Sequence, residues 1–145
     1  MKHLKKFNES YERKEELKDF CENRLAYLLD DRFQFSIKRD LNNSFKGKET
    51  LLFTFSKYYS RKLYEKDEDY DEFKWNDIKD HFIPFLTHLS NNYEIYGKVQ
   101  ISLIKPSKRS TTYIIPDKVY TIQEMIDDKP SELDCYLYEI EMSIK

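Results

Sequence analysis

The hydrophobic pattern of this chain switches period twice, from helical to alternating, and that switch does most to limit what it can fold into. Leu17, Phe20, Cys21, Leu25, Leu28 and Leu29 recur at spacings of three and four. They share one face of a helix predicted from Glu9 to Asp30, with Asn8 or Ser10 as its cap. After Asp31 the period becomes two. Phe33, Phe35 and Ile37 alternate with Gln34, Ser36 and Lys38, the pattern of a half-buried strand. Asn42, Asn43, Ser44 and Gly47 mark a turn, and Leu51, Phe53 and Phe55 resume the alternation, so the two strands read as a hairpin.

A second stripe runs from about Asp71 to Asn91: Trp75, Ile78, Phe82, Phe85, Leu86 and Leu89. Pro84 falls within it and predicts a kink or a division of that helix, because proline lacks the backbone donor. Tyr93, Ile95, Val99, Ile101 and Leu103 then alternate again, with Gly97 as an expected bulge. Thr111 to Ile115 reads as a short return strand and Thr121 to Asp128 as a brief capped helix. Tyr136, Tyr138, Ile140, Met142 and Ile144 form a closing strand whose first half is apolar on both faces.

This order predicts an α+β fold in which two helices pack on one face of a mostly antiparallel sheet and the other face meets water. An offset of 60 residues places Leu25 on Phe85, Leu29 on Leu89, Phe33 on Tyr93 and Phe35 on Ile95. That match suggests a duplicated αββ unit, αββαββ in full. The 145 residues fit one domain, residues 1–145, with residues 1–8 as a basic N-terminal arm.

Composition narrows the function classes. Aromatic residues make up 16 % of the chain, too many for a disordered segment and enough for a core. The formal net charge is −2, whereas a dedicated nucleic-acid binder carries a basic excess. No apolar run approaches the ~20 residues that span a bilayer. Met1 to Ser10 is basic but lacks the apolar stretch of a secretory signal, so a cytoplasmic protein without membrane contact is expected. Cys21 and Cys135 have no metal-ligand spacing, and both are expected as buried reduced thiols.

Catalytic and metal signals are thin. Asp67, Asp69 and Asp71 alternate as calcium loops do, but Glu72 stands where a glycine is needed and Ile78 where a bidentate Glu belongs. Asp77, His81 and His88 lie on similar sides of one helix and offer three metal-binding groups, but surface histidines beside the stripe are the simpler reading. With two glycines in the chain, a backbone cradle for phosphate is hard to build, and no nucleophile motif is present. Glu139 and Glu141 share the outer phase of the last strand, with Glu94 as a candidate third member, and could do acid–base work if burial shifted them. No catalytic residue, cofactor or metal is assigned, and an enzyme or small-ligand binder is the third-ranked reading.

Two segments are candidates for contacts. Tyr58, Tyr59, Tyr64 and Tyr70 cluster in the charged connection after the second strand, outside the core phase, and tyrosine is enriched in protein interfaces. Lys105, Lys108 and Arg109, with the neighbouring hydroxyls of Ser107, Ser110, Thr111 and Thr112, form the best basic patch for gripping phosphates. Tyr96 is one candidate platform for stacking a base, since Phe33, Phe35, Phe53 and Phe55 fall on the core phase.

The opening MKHLKKFNES and the following ELKDFCENRLAYLLDDRFQFSI resemble the starts of short uncharacterised accessory proteins of large tailed bacteriophages. The resemblance covers about the first 40 residues and brings no catalytic residues with it. It implies an accessory protein made in the cytoplasm of an infected bacterium. Together these observations favour a non-enzymatic protein-interaction module whose partner is another protein or a second copy. A nucleic-acid binder using the basic loop is the alternative.

Overall fold

The computed structural model describes residues 2–39, 50–57, 72–106 and 112–145, and the side chains of 12–39, 50–57, 72–104 and 116–145. Helix α1 (Lys2–Arg24) is followed by a bend at Leu25 and a short helix α2 (Ala26–Asp30). Strands β1 (Phe33–Arg39) and β2 (Leu51–Lys57) come next, then helix α3 (Trp75–Asn92). Strands β3 (Ile95–Pro106) and β4 (Thr112–Tyr120) are followed by helix α4 (Ile122–Ile126) and a 3-10 turn (Lys129–Glu132). Strand β5 (Tyr136–Ile144) completes a five-stranded sheet of order β1-β2-β5-β3-β4, in which every pair is antiparallel. This is the expected α+β fold.

The apolar phases meet on one side of the sheet. Phe53 and Phe55 sit opposite Ile37 and Phe35 on one flank and Met142 and Ile140 on the other, and Ile140 in turn faces Ile101. The stripes of the helices close over them: Leu17, Cys21 and Leu25 from α1 and its bend, and Ile78, Phe82, Phe85 and Leu89 from α3, all join one buried cluster. Its centre is aromatic. Phe82 lies 4.9 Å from Phe55, Phe85 lies 5.6 Å from Phe53, and Phe73 meets Phe33 edge-on at 5.2 Å. Burying one such ring contributes about 1.5–3 kcal/mol.

Several local expectations meet a different geometry. Helix α1 begins at Lys2 rather than Glu9, so Asn8 and Ser10 lie inside it rather than at its start. Its bend at Leu25 keeps the hydrogen bonds Leu25 N–H to Cys21 O and Leu29 N–H to Leu25 O, both 2.9 Å, and so keeps the stripe on one face. Pro84 does not divide α3. It lies on the exposed side of the helix, not in the stripe, and so does Asp80. The Asp80 carbonyl that proline leaves without a donor can therefore be hydrated. Pro116 is tolerated within β4 because β4 is an edge strand.

Other expectations hold. Gly97 has φ +72°, and the β3–β5 register slips between Tyr96 and Gln100, which is the bulge expected there. Thr121 caps α4 by accepting from Glu124 N–H while Glu124 accepts from Thr121 N–H. The two-sided apolar start of β5 also has a cause. Ser102 pairs with Glu139 and Leu103 with Leu137, so Tyr138 has no partner of its own on β3 and the phase of β5 shifts by one. Leu137 is consequently core, and it exchanges two backbone hydrogen bonds with Phe73.

The duplicated αββ unit is not a structural repeat. β2 and β3 both run antiparallel to β5, so they are parallel to each other, and β1 and β3 point in opposite directions. Yet the steps β1 to β2 and β3 to β4 cross the sheet the same way. A rotation that keeps the helices on one face reverses both senses or neither. The two halves therefore cannot be superposed, and the 60-residue match reflects amphipathic segments of similar length.

Candidate functional site: the helix-free face of the sheet

The polar phases of the strands share the opposite face, and among the described residues no helix covers it. Strand register arranges it in rows. Ser36, Thr54, Glu141, Gln100 and Val119 form one row from edge to edge. Gln34, Ser56, Glu139 and Ser102 form the next, and Lys38, Leu52, Ser143 and Tyr96 a third. The two carboxylates thus occupy the central strand, ringed by hydroxyls. Ser102 and Ser143 are only 8 % and 7 % exposed, because neighbouring strands crowd small side chains in the middle of a sheet.

This placement perturbs Glu139. Burial pushes its carboxyl up, and the hydrogen bond and charge of Glu141 push the same way, as does the charge of Asp117, while Lys38 opposes them. Glu139 thus holds its proton more readily than an isolated surface carboxylate does. Asp117 is itself held by Gln100, whose Nε2 donates to Oδ2 at 2.5 Å. Glu94, expected as a possible third member, is elsewhere: it pairs with Lys145 at 3.4 Å. Lys145 Nζ also stands 5.4 Å above the ring of Tyr96, which is 41 % exposed at the rim of this face.

The other expected sites fare differently. Tyr58, Tyr59, Tyr64, Tyr70, Lys108 and Arg109 lie outside the described residues, as does the acidic run Asp67 to Asp71. Lys105 belongs to β3, opposite Tyr113, and its side chain is not described. Among the described residues no three His, Cys, Asp or Glu side chains converge as metal ligands. His81 stacks on Tyr27 at 4.2 Å, and Asp77 accepts from Lys74 N–H at 3.0 Å as a helix cap. Cys21 is buried and its thiol is pushed up to about 12, chiefly by burial and secondly by Glu22. Cys135, expected to be buried, is only half-buried, since it lies in the connection ahead of β5 rather than in a stripe. Neither thiol is joined in a disulfide.

Two features carried little sequence signal. Asp128 has φ +65° and ties the end of α4 to the start of α3. It accepts from Trp75 Nε1 and Ser131 Oγ, each at 2.6 Å, and from Lys79 Nζ at 3.2 Å. An Asp just past a helix and two before a proline is a hint of a left-handed C-terminal position, but nothing local names Trp75 as its partner. The second is a groove of about 480 Å³ between α1 and the outer edge of β1. Only the strand order makes β1 an edge, and the hairpin pattern alone leaves that order open.

Comparison with family models, with curated proteins and with solved structures finds no match to this chain.

Proposed function

We propose that this chain is a non-enzymatic protein-interaction module, an accessory protein of a bacterial virus acting in the host cytoplasm, which holds a partner protein against the helix-free face of its sheet. One observation supports this best: a five-stranded face without a helical cover among the described residues, with a half-buried carboxylate pair on its central strand. An acidic centre ringed by hydroxyls and bordered by an exposed tyrosine suits a basic protein segment. A lysine or arginine from the partner would relieve the mutual repulsion of Glu139 and Glu141 and gain a charge-assisted hydrogen bond. The same acids repel phosphate, so nucleic acid is disfavoured on this face. The viral setting rests on the resemblance of the first 40 residues.

An affinity capture from infected cells tests the reading. The double substitution Glu139→Lys and Glu141→Lys is expected to lose the partner while the fold, read by circular dichroism, is retained. Replacement of Tyr58, Tyr59, Tyr64 and Tyr70 by Ser, run in parallel, reports whether the charged connection contributes. If both variants capture everything that the wild type captures, the interaction reading fails.

A further inference from the structure

We infer that β1 is a self-association edge, and that two copies of this chain pair through it as antiparallel strands centred on Ser36. The two edges of the sheet are not equivalent. β4 carries Pro116, and its register with β3 shifts between Ile101 and Leu103. Proline and bulges are the devices that blunt an edge against pairing. β1 has neither. Its seven residues pair with β2 in unbroken register, and the strand contains no proline.

The groove beside β1 shows that this edge is accessible. Phe33, Gln34, Phe35, Ser36 and Ile37 all border it. Alternate residues of a strand point to opposite faces, so a groove touched by five in succession runs along the backbone edge. Phe35 is only half-buried although it belongs to the core phase, because among the described residues no strand lies beyond it. A further strand would cover its open flank.

The sequence of β1 suits a copy of itself. Centring the pair on Ser36 uses all seven residues, whereas moving the centre to Phe35 or Ile37 leaves five in register. It sets Phe35 against Ile37 on the core side, and Gln34 against Lys38 on the polar side. Arg39 falls opposite Phe33. Like charges are kept apart, while a centre at Phe35 brings Arg32 opposite Lys38. The α1 wall of the groove offers Lys14 and Lys18 with Glu15 and Glu22, so the same wall on the second copy meets it without net repulsion. A two-fold axis through the sheet keeps all the helices on one face and produces a continuous sheet of twice the width. The seam runs along the backbone edge of β1 and shares only the margin of the helix-free face, Gln34, Ser36 and Lys38. Self-association is read by mass and partner capture through Glu139 and Glu141, so the pairing stands or falls separately from the proposed function.

The experiment uses the full chain, with mass measured by native mass spectrometry and dimer dissociation by analytical ultracentrifugation. Gln34 is exposed, which allows charge to be placed at the seam without disturbing the core. Gln34→Lys opposes Lys38 of the second copy twice and is expected to weaken the dimer by roughly two- to thirty-fold, and Gln34→Glu to tighten it by a similar factor. Residues directly opposed across antiparallel strands have Cα atoms about 4.5–5.5 Å apart, within the reach of a disulfide. Ser36→Cys, in a Cys135→Ser background, is therefore expected to give a covalent dimer under mild oxidation, and Cys135→Ser alone is not. A chain that stays monomeric at every concentration overturns the inference. So does a dimer that neither cross-links through position 36 nor responds to charge at position 34.

Discussion

Asp128 shows how much one side chain can tie together. Its carboxylate joins segments 53 residues apart through the indole of Trp75 and adds Ser131 and Lys79. Asp128→Ala leaves the buried Trp75 N–H without its acceptor and is expected to cost about 1–2 kcal/mol in chemical denaturation, at the low end because the side chain is 37 % exposed. Asp128→Asn, which keeps an acceptor for the indole, is expected to recover part of that loss. The thiols offer a second contrast at this scale. Ellman titration of the native protein is expected to label Cys135 and spare Cys21, which is buried with a thiol pushed up to about 12. Labelling of both at equal rates would contradict the burial of Cys21. Neither property was legible as residue type. Cys21 lay on a periodic stripe and its burial followed from that, whereas Cys135 and Asp128 depend on how distant segments dock.

Among the elements, α3 is the test of how a stripe overrides propensity. Proline inside a helix costs about 3 kcal/mol relative to alanine, yet α3 runs unbroken from Trp75 to Asn92. Six buried side chains hold it against the sheet and the aromatic cluster, and the defect faces water. Pro84→Ala is expected to raise stability by roughly 1–3 kcal/mol, less than the full propensity difference because the unfolded chain also gains freedom. Phe82→Ala, which empties the space between Phe55, Phe85 and Trp75, is expected to lose about 3–5 kcal/mol. Equilibrium urea unfolding measures both. The sequence made the elements legible wherever one face is buried, because burial writes a period. It was less informative where the period breaks. The apolar stretch Tyr136 to Tyr138 became intelligible only once the slip in register between β3 and β5 was seen.

At the scale of the whole molecule, two carboxylates pull stability in opposite directions as pH changes. Asp128 is held below its usual range by hydrogen bonds from Ser131, Trp75 and Lys79. Its contribution is complete above the unfolded value of about 3.9 and is lost as pH falls through the folded one. Glu139 is raised, by burial first and by Glu141 next, so its contribution is complete below the unfolded value of about 4.3 and is lost as pH rises through the folded one. Glu139→Gln is therefore expected to raise the melting temperature at pH 7 and to flatten the decline in stability above pH ~4.3. An unchanged melting curve at pH 7 would mean that the carboxylate pair is fully solvated. The presence of a two-sided sheet was legible from alternation, and so were Glu139 and Glu141 on its polar side. The strand order was not, because period-two patterns assign a face and leave the neighbour open.

That order has a consequence for synthesis on the ribosome. β5 is the sheet's central strand, yet all the other strands precede it in the chain. Until residues 136–144 have left the exit tunnel, the β1–β2 and β3–β4 hairpins have no shared ladder, and the inner edges of β2 and β3 stay open. The final strand must enter between two preformed neighbours, a step dominated by contacts distant in sequence and therefore slow. Stalled nascent chains ending before Tyr136 are expected to remain protease-sensitive throughout. Chains extended beyond Ile144 by a linker long enough to clear the tunnel should acquire protection in both hairpins together.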